Sequence, residues 1–245
     1  MTEVVLFYFG YIFAIFRPMD TDYNLKLSKN VFLIPTLYIL CIWLIYWIEI
    51  YFGYNFNKFG VYPRSLVGFR GVFFTHFIHS DAGHLFNNSI PLFVLLSSLF
   101  FFYRDTAYKI LLIGGFFTGF ITWIIGRESY HIGASGIVYL LFSFVFFSGI
   151  IKKHYRLVAL SFIVIFLYGS MIWYVLPIKD GMSWEGHLSG FLTGFVLAIL
   201  YRKKGIVKQE HQFTKTAFDE LFDEHGNFSP PKEDDLVNKE ENEGV

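Results

Sequence analysis

Long apolar runs alternate with short polar breaks along most of the chain. Six runs, at 31–52, 84–103, 107–126, 133–151, 156–177 and 185–201, approach or reach the ~20 residues a helix needs to cross a bilayer. Inside a membrane no water satisfies bare backbone groups, so each run is predicted to be a helix. Membrane-spanning strands would instead alternate polar and apolar residues over ~10-residue segments. The pattern therefore predicts an all-α membrane protein built as a six-transmembrane-helix bundle. The run 185–201 is short, which predicts an upright span or one shielded by neighbours. Residues 53–83, between the first two runs, are numerous enough to form a structured loop. The apolar stretch at 4–16 is too short to span comfortably, and within an N-terminal segment 1–30 it reads as interfacial.

Composition agrees with this picture. The chain is 54% hydrophobic, 22% aromatic and only 16% charged, too charge-poor for an ordinary soluble domain. Its formal net charge of zero gives no basic signature for nucleic acid. A single cysteine, Cys41, excludes a disulfide framework or a cysteine-based metal site within one chain. Positive charges then orient the spans. Arg17, Lys26 and Lys29 precede the first run, and Arg104 and Lys109 flank the turn after the second. Lys152, Lys153 and Arg156 follow the fourth, and Arg202, Lys203, Lys204 and Lys208 follow the sixth. The positive-inside rule places these, and both termini, in the cytoplasm. The loop at 53–83 runs against the rule, carrying Lys58, Arg64 and Arg70 on the outside. Residues 202–245 form a charged cytoplasmic tail, expected to be disordered from about 226. A short amphipathic helix is predicted over 213–224, with Phe213, Ala217, Phe218, Leu221 and Phe222 on one side.

Polar residues within apolar runs are costly, so their positions carry functional information. His79, His84 and Asn88 lie in HSDAGHLFNNS at the start of the second run. Gly133, Ser135 and Gly136 lie in GASG at the start of the fourth, and His187 lies in WEGHLSGFLTG at the start of the sixth. Every second span enters from the same face, so the three clusters lie at one depth. Each alone has an ordinary reading as helix packing or an interhelical hydrogen bond. Together they supply a serine, a base and additional donors, the constellation that acyl transfer requires. Serine is a poor nucleophile until a base takes its proton, and His187 is the candidate base for Ser135. No acidic residue in the spans is an obvious third member, so a dyad is expected. Glu185 does not share a helical face with His187. The helix N-terminus at Ser135 favours negative charge, and His84 and Asn88, four apart, point the same way as candidate oxyanion donors. Gly190 and Gly194 clear a small-residue face below His187 for close approach to the fourth span. Tyr139 lies one turn below Ser135, and spacing alone gives it the reading of aromatic packing.

HSDAGHLFNN, GASG and HLSGFLTG, in this order on the second, fourth and sixth helices, resemble the rhomboid family of intramembrane serine proteases. The resemblance covers about 31–201. It implies that Ser135 is the nucleophile and His187 its base, in a six-helix protease domain that needs no metal or cofactor. It implies that His84, Asn88 and the Ser135 backbone form the oxyanion site, and that Tyr139 packs against the catalytic histidine. It implies a structural role for His79, and a membrane-embedded first loop in which Arg70 belongs to a Trp-Arg motif. Phe69 stands here where that motif has Trp. The implied partners are the lipid bilayer and transmembrane protein substrates, whose helices unwind locally to expose a peptide bond. A bacterial inner membrane is the expected location.

Other classes of intramembrane protease do not match. There is no His-Glu-x-x-His zinc motif, and Asp105 and Asp180 lie in connections rather than in spans. The remaining rival is a catalytically silent rhomboid-like pseudoprotease that binds or escorts membrane clients. His131, just outside GASG, has no role assigned by the pattern.

Overall fold

A computed structural model describes residues 27–167, 173–178, 181–206 and 218–229. These fall into two compact units, 27–206 and 218–229. The expected interfacial segment 4–16 lies outside the described residues.

The first unit is helical. Its helices are α1 (Asn30–Phe52), α2 (Ala82–Phe102), α3 (Ala107–Ile125), α4 (Ser135–Ile151), α5 (Tyr155–Leu167) and α6 (Trp184–Leu200). Five of the six predicted runs match a helix to within two residues at each end. The fifth does not: α5 ends its described course at Leu167, and residues 173–175 form a 3-10 turn rather than continuing the expected span to 177. Helices α1, α2 and α3, at 23, 21 and 19 residues, are long and apolar enough to cross a membrane. Helices α4 and α6 are apolar but have only 17 residues each.

Polar residues fix several helix boundaries. Asp81 caps α2 by accepting from the His84 main-chain N–H at 2.8 Å, satisfying a donor that the first turn would otherwise leave unpaired. That bond, with one from the Ser80 hydroxyl, holds the Asp81 carboxyl below the usual carboxylate range. Gly53 closes α1 in the left-handed conformation. Arg64 donates to the carbonyl of Gly126 at 2.8 Å, pairing backbone just past the end of α3.

Helices α4 and α6 share the largest interface in the unit. A Cβ on Gly190 would collide with the Gly136 carbonyl, and one on Gly194 with the Leu140 carbonyl. The two backbones therefore touch directly, as the small-residue face of α6 predicts. At the other end of α4, Lys152 donates to the carbonyls of Lys204 and Ile206, and the Ile206 N–H donates to the Phe102 carbonyl. Residues 202–206 thus pack back on the helical unit and do not begin a separate tail at 202.

The loop 53–81 is folded, with short helical turns at Phe56–Phe59, Leu66–Phe69, Gly71–Phe74 and Thr75–Phe77. It fastens to α3: the Trp123 indole donates to the Ser65 carbonyl, and Phe69 meets Trp123 edge-on at 5.4 Å. The Phe in place of Trp is thus packed against another indole. Arg70 lies over the Phe59 ring at 4.5 Å and donates to the Lys58 carbonyl, bracing the loop internally.

In the second unit, the amphipathic helix expected over 213–224 does not form through its C-terminal half. A single 3-10 turn spans Asp219–Leu221, after which Phe222 is extended and bridges to Phe228. Asp223 accepts from the main-chain N–H groups of His225 and Asn227, a side-chain-capped turn that competes with helix. Residues 226–229, within the stretch expected to be disordered from about 226, take part in this turn. Residues 213–217 lie outside the described residues.

Candidate active site

Ser135 is the first residue of α4, and His187 lies in the first turn of α6. With the two backbones in contact, Ser135 Oγ and His187 Nε2 stand 2.9 Å apart. The proton arrangement follows from the partner of the other ring nitrogen. His187 Nδ1 lies 2.7 Å from the Tyr174 carbonyl, which can only accept. Nδ1 therefore carries the proton, and Nε2 presents a lone pair to the serine hydroxyl. Tyr174 was not identified from sequence. It acts through its main-chain oxygen on the 3-10 turn Trp173–Val175, and a carbonyl has no residue-type signature.

Tyr139, one turn along α4, stacks on the His187 ring with centroids 4.3 Å apart and planes 16° from parallel. The packing that spacing predicts for it is thus packing on the candidate base. His187 is buried, while Ser135 is half-buried.

Gly133 has φ +116°, a conformation strained for any residue with a side chain. A Cβ there would lie 2.8 Å from His84 Cε1 and Nε2, and 3.7 Å from Ser135 Oγ. Gly133 thus leaves the space in which the imidazole edge of His84 approaches the serine. Gly136 has the role already described, offering its carbonyl to the bare face of Gly190.

Asn88 is buried, and its amide nitrogen has no hydrogen-bond partner among the described residues. An unpaired buried donor is costly and calls for an explanation, and Asn88 lies one turn after His84 on α2. His84 is differently placed. Ser80 Oγ lies 2.7 Å from Asp81 Oδ2 and 3.3 Å from His84 Nδ1. The serine proton goes to the carboxylate, so Ser80 accepts from Nδ1–H. The neutral ring then has no proton on Nε2.

The end of the first loop braces the approach to Ser135. The Ala134 N–H donates to His79 Nε2 at 3.3 Å, the Gly133 N–H donates to the Thr75 carbonyl at 3.0 Å, and Thr75 Oγ1 donates to the His131 carbonyl at 2.7 Å. Burial pushes His79 down to about 3 and His76 down to about 4, which keeps both rings neutral. His131, unassigned by sequence, pairs with Val61 through two main-chain hydrogen bonds, tying the first loop to the segment that leads into GASG. A cavity of about 20 Å³, bordered by Ser135, Thr118, Thr122, His76 and Ser183, has room for one water molecule.

A family model for the Rhomboid domain matches residues 68–204, more than half of the chain. The chain belongs to the rhomboid family. The sequence motifs pointed there, and the match bears them out. Among curated proteins, the chain is 34% identical over 155 residues to uncharacterized proteins of Mycobacterium tuberculosis and Mycobacterium bovis. It is 32% identical over 145 residues to one of Mycobacterium leprae. The first match covers 58% of this chain, which spans about three fifths of that relative's length (62%). The rhomboid assignment makes this an integral membrane protein of helical fold with bacterial relatives. The matched region begins within the first loop and ends four residues beyond α6, so it contains Ser135, His187, His84, Asn88, Tyr139 and Tyr174.

Proposed function

We propose that this chain is an intramembrane serine endopeptidase that hydrolyses a peptide bond in or near a transmembrane segment of another membrane protein. The proposed topology is six spans with both termini cytoplasmic, in a bacterial inner membrane. The observation that carries the reading is the 2.9 Å contact between Ser135 Oγ and His187 Nε2, with the Tyr174 carbonyl holding the tautomer that makes Nε2 the acceptor.

The chemistry follows from these groups. Nε2 takes the serine proton as Oγ bonds to the scissile carbonyl carbon, and the carbonyl electron pair moves to oxygen. The resulting oxyanion accepts from the Ser135 main-chain N–H, which faces outward at the helix N-terminus, and from the unpaired Asn88 amide. His84 adds a donor only when its ring is protonated or Ser80 turns its hydroxyl away from Asp81. When the C–N bond breaks, the proton on Nε2 passes to the departing amine. Water then attacks the Ser135 acyl ester with the same base, and the polar cavity behind Ser135 offers it a place beside the ester. The stack with Tyr139 holds the imidazole plane through both transfers.

The test is labelling of membranes by an active-site-directed serine-hydrolase probe, paired with cleavage of a model transmembrane substrate. Wild type labels and cleaves; Ser135→Ala and His187→Ala do neither, although both insert. A wild type that neither labels nor cleaves identifies the pseudoprotease instead.

A further inference from the structure

One buried charged group has no part in that chemistry. Glu185, in the first turn of α6 two residues before His187, is 1% exposed. Its Oε1 accepts from the Arg127 main-chain N–H at 3.2 Å and lies 3.6 Å from Arg127 Nη1. Its Oε2 is buried, has no hydrogen-bond partner among the described residues, and lies 3.9 Å from His131 Nδ1. As predicted, the side chain turns away from His187. It points instead at the segment that carries the serine.

The opposing partners are themselves anchored. His131 Nε2 lies 3.0 Å from the Arg127 carbonyl and therefore donates to it, so Nδ1 accepts from the Ser183 hydroxyl at 2.6 Å. Ser183 precedes α6, and its carbonyl accepts from the His187 N–H at 3.3 Å. The Arg127 guanidinium reaches the Met182 carbonyl. Three bonds thus run from 127–131, a few residues before Ser135, to 182–185, a few residues before His187. The main chain of His131 is in turn bonded to Val61 in the first loop.

For stability alone this is a poor use of a carboxylate. A buried charge loses its hydration, and only the half-exposed Arg127 side chain and one N–H offset that, while one oxygen stays unpaired. A neutral residue of similar volume would pack at lower cost. A fixed charge gives directional restraint on the first turn of α6. We propose that Glu185, held by Arg127, is a positioning residue that sets the approach of His187 to Ser135. The proposal rests on the reading of Ser135 and His187 as the reacting pair.

Full-length protein in proteoliposomes tests it, with wild type, Glu185→Gln, Arg127→Gln and Ser135→Ala compared. Glu185→Gln keeps the volume and the acceptor for the Arg127 N–H but loses the charge. It is expected to reach the same labelled fraction as wild type with the serine-hydrolase probe. Its rate of labelling per site and its kcat should fall by about 10–100-fold, with KM within about twofold, because a displaced base slows chemistry and not binding. Arg127→Gln keeps the main-chain donation, and its half-exposed side chain makes it easy to accommodate; the same rates should fall by roughly threefold or more. A Glu185→Gln enzyme with wild-type kcat overturns the proposal. So does a reduced labelled fraction with an unchanged rate per site, the mark of a merely structural residue. If Glu185→Gln does not accumulate, the Arg127→Gln rates decide. An inert wild type removes the protease reading and this one with it, whereas an active wild type beside an unimpaired Glu185→Gln removes this one alone.

Discussion

The two ways α2 and α4 meet their neighbours are built from opposite materials. Between α4 and α6 the contacts are backbone on backbone, with Gly190 and Gly194 lying on the carbonyls of Gly136 and Leu140. Between α1 and α2 they are large side chains: Phe32 stacks on Phe93, and the Trp43 indole donates to Ser89 at 3.0 Å. Helix α1 is the more apolar of the two, yet it is mostly exposed whereas α2 is mostly buried. In a bilayer apolar content does not drive burial, because lipid solvates leucine as well as another helix does. Close packing and hydrogen bonds decide it, and these concentrate where atoms must be held at fixed distances. The α4–α6 seam sets the 2.9 Å contact between Ser135 and His187; the α1–α2 seam sets the 3.0 Å Trp43–Ser89 hydrogen bond, which joins no pair of candidate reacting groups.

The two faces of α2 give the sharpest test. Asn88 and Ser89 are adjacent and both buried, but Ser89 receives Trp43 from α1 while the Asn88 amide is unpaired on the face shared with His84. Asn88→Ala should lower kcat by about 10²–10³-fold, the cost of one oxyanion donor, whereas Ser89→Ala should leave it within about twofold. His84→Ala should cost less than Asn88→Ala near neutral pH, because the resting ring has no proton on Nε2. Measured kcat on one transmembrane substrate checks all three; equal losses for Asn88 and Ser89 would remove the distinction.

The seam itself comes next. Gly190→Ala adds one methyl, and that methyl collides with the Gly136 carbonyl. Helix α6 must shift, and a base displaced by a sizeable fraction of an ångström is expected to lose on the order of 100-fold in kcat. Leu40→Ala removes three carbons from an exposed position on α1 and should leave kcat unchanged. A tolerated Gly190→Ala would mean that the backbone contact is not what holds His187.

How much of this was legible in the sequence follows the same division. Positions that act locally were readable: most helix limits, the small-residue faces, and the pairing of Ser135 with His187. Groups that act across the fold were not. His131 is explained by Val61 and Thr75 from the first loop and by Ser183 just before α6, segments far apart in sequence. Tyr174 contributes a main-chain carbonyl, invisible to any reading of side chains. The fifth run was read as a span to 177 because apolar residues continue past 167, and apolarity does not distinguish a helix from the 3-10 turn at 173–175. The tail turn was misread because Phe213, Phe218 and Phe222 have helical spacing, while Asp223 and Gly226 close a turn that outweighs it.

A smaller effect concerns acid. His76 is buried in the first loop, donates from Nε2 to the Gly115 carbonyl, and is pushed by burial down to about 4 from an ordinary value of 6.5. The unfolded chain takes up this proton as pH falls below about 6.5, and the folded one does so only near 4, so folded stability drops across that window and levels off beneath it. The loss from His76 should be on the order of 3 kcal/mol at most. Thermal unfolding in detergent from pH 7 to pH 4 should show a shallower decline for His76→Gln than for wild type, and parallel declines would place the acid sensitivity elsewhere.

The smallest expected effect lies at the α1 seam. Trp43→Phe keeps an aromatic ring and removes the indole N–H that donates to Ser89. Ser89 also donates to the Leu85 carbonyl at 2.8 Å, so its hydroxyl stays paired after the substitution. The loss is one neutral hydrogen bond at a half-exposed site, about 1 kcal/mol or less. A lowered unfolding midpoint with unchanged kcat is the expected pair of results. Helix α1 would then be a lightly attached element whose packing contributes stability without setting the Ser135–His187 distance. A kcat that fell with Trp43→Phe would instead make the α1–α2 contact part of the same positioning frame as the glycine seam, through the one turn of α2 that carries Ser89 on one side and Asn88 on the other.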